Sequence, residues 1–165
     1  MELEQVFARS WLFVGHESQI PNPGDFTQTT MGEDPVIVTR AQDMSIQVLL
    51  NSCRHRGAKV CLTDRGNARV FQCKYHNWAY ANSGELVGVP LFDSAYFREL
   101  DKSQWGLIPV PRVEVAHGLV FGCWDAQAPS LREYLGEMDH YLELMLDRTP
   151  GGVEVVAGVQ RSTSP

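Results

Sequence analysis

No stretch of this 165-residue chain approaches the roughly eighteen consecutive apolar residues of a membrane-crossing helix, and no basic start runs into an apolar stretch. Neither a membrane span nor a secretory leader is therefore expected. A basic excess is also missing: 14 lysines and arginines face 20 aspartates and glutamates, for a formal net charge of −6. Nucleic-acid-binding domains carry a basic face, so no nucleic-acid partner is expected, and an acidic protein would have to meet a local patch. Internal repeats and low-complexity segments are absent. Cysteine is scarce, at four residues, in a chain long enough to bury a core without disulfides. A reducing, cytoplasmic setting fits this usage.

Two of those cysteines lie in the most informative segments, Cys53-Arg54-His55-Arg56-Gly57 and Cys73-Lys74-Tyr75-His76-Asn77-Trp78. Each pairs one thiol with one imidazole, and seventeen residues separate His55 from Cys73. Two thiolates and two imidazoles offered from two loops suit a Rieske [2Fe-2S] centre, in which histidines replace two of the four cysteines on one iron. Cys53 and Cys73 would hold one iron, and His55 and His76 the other. Zinc also accepts two cysteines and two histidines, but a zinc finger usually sets its cysteines together and its histidines together on a helix. Chance spacing of core residues is the third possibility. The other two cysteines, Cys61 and Cys123, read as buried free thiols.

Written out, the region is C-x-H-R-G, eight residues, Gly66-Asn67, five residues, then C-x-Y-H-x-W. It resembles the Rieske segment of the alpha subunits of bacterial aromatic-ring-hydroxylating dioxygenases, the biphenyl and naphthalene dioxygenase group. The likeness extends to Phe7-Ala8-Arg9-Ser10-Trp11, Pro23-Gly24-Asp25-Phe26, Met31-Gly32-Glu33-Asp34, Gly84-Glu85-Leu86 and Tyr134-Leu135-Gly136. Asn77 departs from the glycine that most members have, and asparagine is among the residues that tolerate a left-handed backbone. The resemblance also implies that the disulfide linking the cluster loops in high-potential Rieske proteins cannot form, because Ala58 and Tyr75 occupy its positions. Trp78 stands where those proteins have a hydroxyl donor. Both absences favour a potential in the lower part of the Rieske range, below about 0 mV.

The fold class expected is mainly β: an antiparallel Rieske-type β-sandwich with an N-terminal and a C-terminal helix. Residues 2–10 show helical spacing, 35–40 and 46–50 read as strands leading into the first cysteine loop, and 68–72 as a strand leading into the second. Asn82-Ser83-Gly84 marks a hairpin between 78–81 and 85–89, and His117-Gly118 a turn between 113–116 and 119–124. Residues 107–110 also have β character, while 91–105 are too mixed to place. Apolar residues from Leu131 to Met145 recur at helical intervals behind a Ser130–Glu133 capping box, predicting one helix of about four turns whose tyrosines and methionines, Met138 and Met145 among them, fill core. Trp78 is expected beneath the second loop. The organisation expected is 1–34 as a helical lead-in, 35–128 as the cluster domain, 129–150 as a linking helix and 151–165 as the start of a further domain.

What the resemblance implies for function follows. The family's catalytic domain holds a mononuclear Fe(II), and neither His16, His117 nor His140 matches its motif, so this stretch has no catalytic residues of its own and would be inactive alone. Its role would be to take electrons that originate in NADH from a ferredoxin or reductase. It would relay them to the mononuclear iron of a neighbouring alpha subunit in a trimeric ring, with a small beta subunit as a further partner. Cis-dihydroxylation of an aromatic ring is the implied reaction. A free-standing Rieske ferredoxin is the alternative.

Overall fold

The computed structural model describes residues 1–156. Ten short strands run in the order β1 (Leu12–His16), β2 (Asp25–Met31), β3 (Asp34–Arg40), β4 (Ile46–Leu50), β5 (Arg65–Asn67), β6 (Val70–Gln72), β7 (Ala79–Ala81), β8 (Leu86–Gly88), β9 (Arg112–Ala116) and β10 (Leu119–Cys123). They form three antiparallel sheets with orders β1-β10-β9, β4-β3-β2-β5 and β6-β7-β8. The chain is thus the antiparallel β-sandwich that its strand pattern predicts.

Strand β3 explains the layering. Val36, Ile37, Val38 and Thr39 are all buried to within 1 % of full coverage, so both faces of this strand are covered and the polar alternation of a half-exposed strand disappears. The period of two persists in what each side chain meets. Val36, Val38 and Val48 join Val14, Ile20, Met31, Val110 and Val120 in one apolar cluster. Ile37 and Leu49 join Phe26, Phe71, Trp78 and Tyr80 in another. The four-stranded sheet is therefore the middle layer, and the second cluster contains both Cys53 and Cys73. The segment 107–110 runs beside β4, with a Leu49–Pro109 bridge and bonds from Leu50 N to the Ile108 carbonyl and from Val110 N to the Val48 carbonyl.

The C-terminal helical region departs from expectation. The capping box is present, with Ser130 accepting from Glu133 N and the Glu133 carboxylate accepting from Ser130 N. The helix nevertheless breaks into Leu131–Leu135 and Met138–Leu146, because Gly136 turns to φ +53° between them. Only Leu131 of the pair is buried. Met138, Tyr141, Leu144 and Met145 are more than half exposed and Tyr134 nearly so; the helical spacing describes a face these residues share, not a core they enter. At the other end a single π-helical turn, Leu3–Phe7, replaces the longer helix expected, and none of its residues is buried. Residues 91–105 hold a short helix, Phe92–Ala95, and a 3-10 turn, Lys102–Gln104. All four cysteines are buried and free. Of the expected 151–165 segment, 157–165 lie outside the described residues.

With so little apolar contact, the Met138–Leu146 helix is held by charge. His117, at φ +52° in the β9–β10 turn, places Nδ1 2.5 Å from Asp147 and Nε2 3.0 Å from Asp139. A neutral imidazole carries one N–H, so facing a carboxylate with both nitrogens requires the protonated ring. The Asp147 hydrogen bond is the main cause of a pKa raised above the ordinary histidine value, with Asp139 adding to it and burial opposing it. A raised folded pKa means that the clamp is fully present below about pH 6.5, the unfolded value, and is lost as pH rises through the folded one. Amide protection in this helix, corrected for base-catalysed intrinsic exchange, should therefore fall on the alkaline side of that window, and His117→Gln should remove that fall. An equal response in both proteins would refute the clamp.

Candidate metal centre

The first cysteine loop leaves β4, and the second joins β6 to β7. They are conformational copies. In the first, Gly57 N donates to the Cys53 carbonyl at 2.8 Å and Cys53 N to the Ala58 carbonyl at 2.8 Å. In the second, Asn77 N donates to the Cys73 carbonyl and Cys73 N to the Trp78 carbonyl, each at 2.9 Å. Gly57 and Asn77 both adopt the left-handed conformation, at φ +70° and +57°. Asn77 thus occupies a position where glycine costs least, and the loop closes in spite of the substitution.

The donors come in two pairs. The Cys53 and Cys73 side chains are 4 % and 1 % exposed within one apolar cluster. Above them the rings of His55 and His76 meet edge to face, with centroids 4.5 Å apart. His55 Nδ1 is buried and has no hydrogen-bond partner. A buried, unpartnered ring nitrogen is costly unless something takes its lone pair. Burial, with His76 and Arg56 close by, holds the His55 pKa below its usual value, which keeps that lone pair free. Among the described residues, no three His, Cys, Asp or Glu side chains gather as a single ion would require. One thiol and one imidazole from each of two loops would serve the two irons of a Rieske centre. On these observations the residues fit a Rieske-type [2Fe-2S] group.

Two supporting residues carry no motif signal. Tyr80, fully buried, accepts from Arg54 N at 3.1 Å and places its hydroxyl 3.2 Å from Cys53 Sγ. Burial first, and the contact with Cys53 second, push its pKa far up, so the hydroxyl keeps its proton and can give it to a thiolate. Asn51, 1 % exposed, accepts from Val60 N and Cys61 N at 3.0 Å and donates to the Cys61 carbonyl and Gln28 Oε1. It thereby ties the start of the first loop to its end. Asn51→Leu should cost about 3 kcal/mol of stability by stranding buried backbone groups, measurable by denaturant unfolding; a loss under about 1 kcal/mol would show that the loop closes without it. Either residue is visible from sequence only as a polar group in a β run.

Trp78 is buried in the apolar cluster that holds both cysteines, and it reaches the other loop as well: it stacks on His55, with centroids 5.1 Å apart and planes 10° apart. Tyr75, 61 % exposed, lies against His76. His16 is buried and bonded to Ser18, and His140 sits exposed near Glu143; neither approaches the two loops. The segment from Ser52 to Trp78 holds six basic residues (Arg54, Arg56, Lys59, Arg65, Arg69 and Lys74) against one acid, Asp64. An acidic chain therefore concentrates positive charge in and between the cysteine loops.

Residues 10–109 match the Rieske [2Fe-2S] domain family. The whole chain is 52 % identical to the chlorobenzene dioxygenase subunit alpha of Cupriavidus sp. (strain PS12), covering 36 % of that protein. It is 49 % identical to the biphenyl dioxygenase subunit alpha of Paraburkholderia xenovorans (strain LB400), covering 37 % of it. Among solved structures, naphthalene 1,2-dioxygenase from Rhodococcus sp. superposes with a TM-score of 0.93 at 45 % identity, over 96 % of this chain and 36 % of that one. The chain thus spans little more than a third of the relatives it matches.

Proposed function

The chain belongs to the Rieske [2Fe-2S] domain family, and from that premise we propose that Cys53 and Cys73 bind one iron of the cluster and His55 and His76 the other. The observation that carries this reading is the buried, unpartnered Nδ1 of His55 beside the His76 ring, presented by a loop that the second cysteine loop copies. When bound, the cluster supplies a one-electron carrier. Buried Cys53 and Cys73 would hold it away from water, the Tyr80 hydroxyl would donate to a Cys53 thiolate, and His55 and His76 would hold it close to exposed Tyr75.

The parent activity proposed is that of an aromatic-ring-hydroxylating dioxygenase alpha subunit. The electron would come from a ferredoxin or reductase, ultimately from NADH, and go to a mononuclear iron held outside this stretch. Cis-dihydroxylation of an aromatic compound would follow, in an assembly of alpha subunits with a possible beta subunit, in the cytoplasm. Likeness over the whole chain, including the region beyond residue 128, favours this over a free-standing ferredoxin. The basic loops suit a partner with an acidic face.

Two thiolates in place of four leave the oxidised cluster formally near neutral, which raises the potential. Trp78 in place of a hydroxyl donor and the missing inter-loop disulfide lower it within the Rieske window. Purified protein should carry iron and acid-labile sulfide, with a midpoint below about 0 mV. Zinc without sulfide would refute the cluster, and a midpoint well above that value would refute the oxygenase-type assignment.

A further inference from the structure

The two cysteine loops share no covalent link, since all four cysteines are free. A circuit of side-chain contacts joins them instead. Trp78 of the second loop stacks on His55 of the first. Trp105 meets Trp78 edge-on, with centroids 5.9 Å apart and planes at 82°. The Arg54 guanidinium lies 5.8 Å from the Trp105 ring centre and donates to the Gly106 carbonyl at 3.2 Å. Arg54 is the covalent neighbour of His55, so the circuit closes on the first loop.

The third segment in the circuit is itself fixed. Leu107 N donates to the Gly84 carbonyl at 2.7 Å, and a Cβ on Gly106 would stand 2.9 Å from that same oxygen. Trp105 is therefore presented from an anchored backbone. The His55 ring needs such support, because the second side-chain torsion of histidine is broad and its own rotamer preference does not set the ring plane. Trp78 lies parallel to one face of the ring, and His76 meets it at 72°.

We propose that Arg54, Trp105 and Trp78 are positioning residues: a non-covalent brace that joins the two cluster loops and fixes the plane of the His55 imidazole. The proposal rests on the cluster reading above. It assigns Arg54 a role that free surface charge does not have, and it makes Trp105, which touches neither cysteine loop's motif in sequence, part of the electron-transfer site.

The test uses cluster-loaded protein and the variants Trp105→Leu, Arg54→Met and their double, with Trp78→Phe beside Trp78→Leu. Iron and sulfide are quantified, the nitrogen couplings of the ligand imidazoles are read by pulsed EPR, and cluster loss to a chelator is followed at the visible band. Trp105→Leu and Arg54→Met should keep iron and sulfide, yet shift the nitrogen couplings and lose the cluster about three- to tenfold faster. The double variant should lose it no faster than the worse single, because either change opens the circuit. Trp78→Phe, which keeps a ring against His55, should lie nearer the wild type than Trp78→Leu. Unchanged couplings and loss rates in loaded Trp105→Leu and Arg54→Met, or additive effects in the double, would overturn the brace alone. Wild-type protein without iron and sulfide would instead overturn the cluster reading, and the brace with it.

Discussion

Cys73→Ser should abolish the visible absorption and reduce bound iron and sulfide to background, whereas Cys61→Ser should retain both in full. The comparison is informative because the two thiols are alike in burial, at 1 % and 4 % exposure, and share one apolar cluster. They differ in what surrounds them. Cys73 begins a loop whose backbone bonds repeat those of the Cys53 loop, and that loop brings His76 against His55. Cys61 lies past the end of the first loop, where its backbone bonds to Asn51 and its Sγ points to the Thr63 carbonyl at 3.5 Å. A serine hydroxyl is a poor substitute for thiolate on iron but can serve Thr63 equally well. Cluster binding to the native state alone also stabilises it, so Cys73→Ser should unfold at lower denaturant than Cys61→Ser. If Cys73→Ser kept the colour, or Cys61→Ser lost it, the ligand assignment would be wrong.

Tyr80→Phe should keep the cluster and lower its midpoint potential by about 50 mV, the one-electron equivalent of roughly 1 kcal/mol, a typical net worth for one hydrogen bond. The sign follows from charge. With Cys53 as the proposed ligand, reduction would place added negative charge beside its thiolate, and a hydroxyl 3.2 Å from Cys53 Sγ would stabilise it. Tyr80 cannot oppose this by ionising, since burial and the cysteine beside it hold its proton in place. Removing the hydroxyl also leaves Arg54 N without its acceptor, so a small loss of stability should accompany the shift. A redox titration showing no change, or a rise, would mean that the Tyr80–Cys53 contact is only packing.

The family was legible because its signature is written in residue type and short spacing: a thiol and an imidazole two or three positions apart, twice. The strand runs at β3 and β4 and the hairpin turns were legible for the same local reason. Strands β1, β2 and β5 were not, since Leu12–His16, Asp25–Met31 and Arg65–Asn67 are polar or short and become strands only by pairing with β10, β3 and β2 respectively. Helical spacing from Leu131 onward was real, but spacing reports which side chains share a face and not whether that face has a partner. Gly136 and the exposure of Met138, Tyr141 and Met145 decided otherwise.

By itself, then, the order of residues determined that two loops each offer a thiol and an imidazole, and that the frame around them is antiparallel β, because each of these depends on chemistry within a few positions. Only the tertiary structure decided how the site is tuned and held. Tyr80 reaches Cys53 across 27 positions, Trp105 and Arg54 meet across 51, and Trp78 leans on the other loop's histidine. Such contacts are created by how three sheets pack, and no local pattern encodes which distant side chain will arrive.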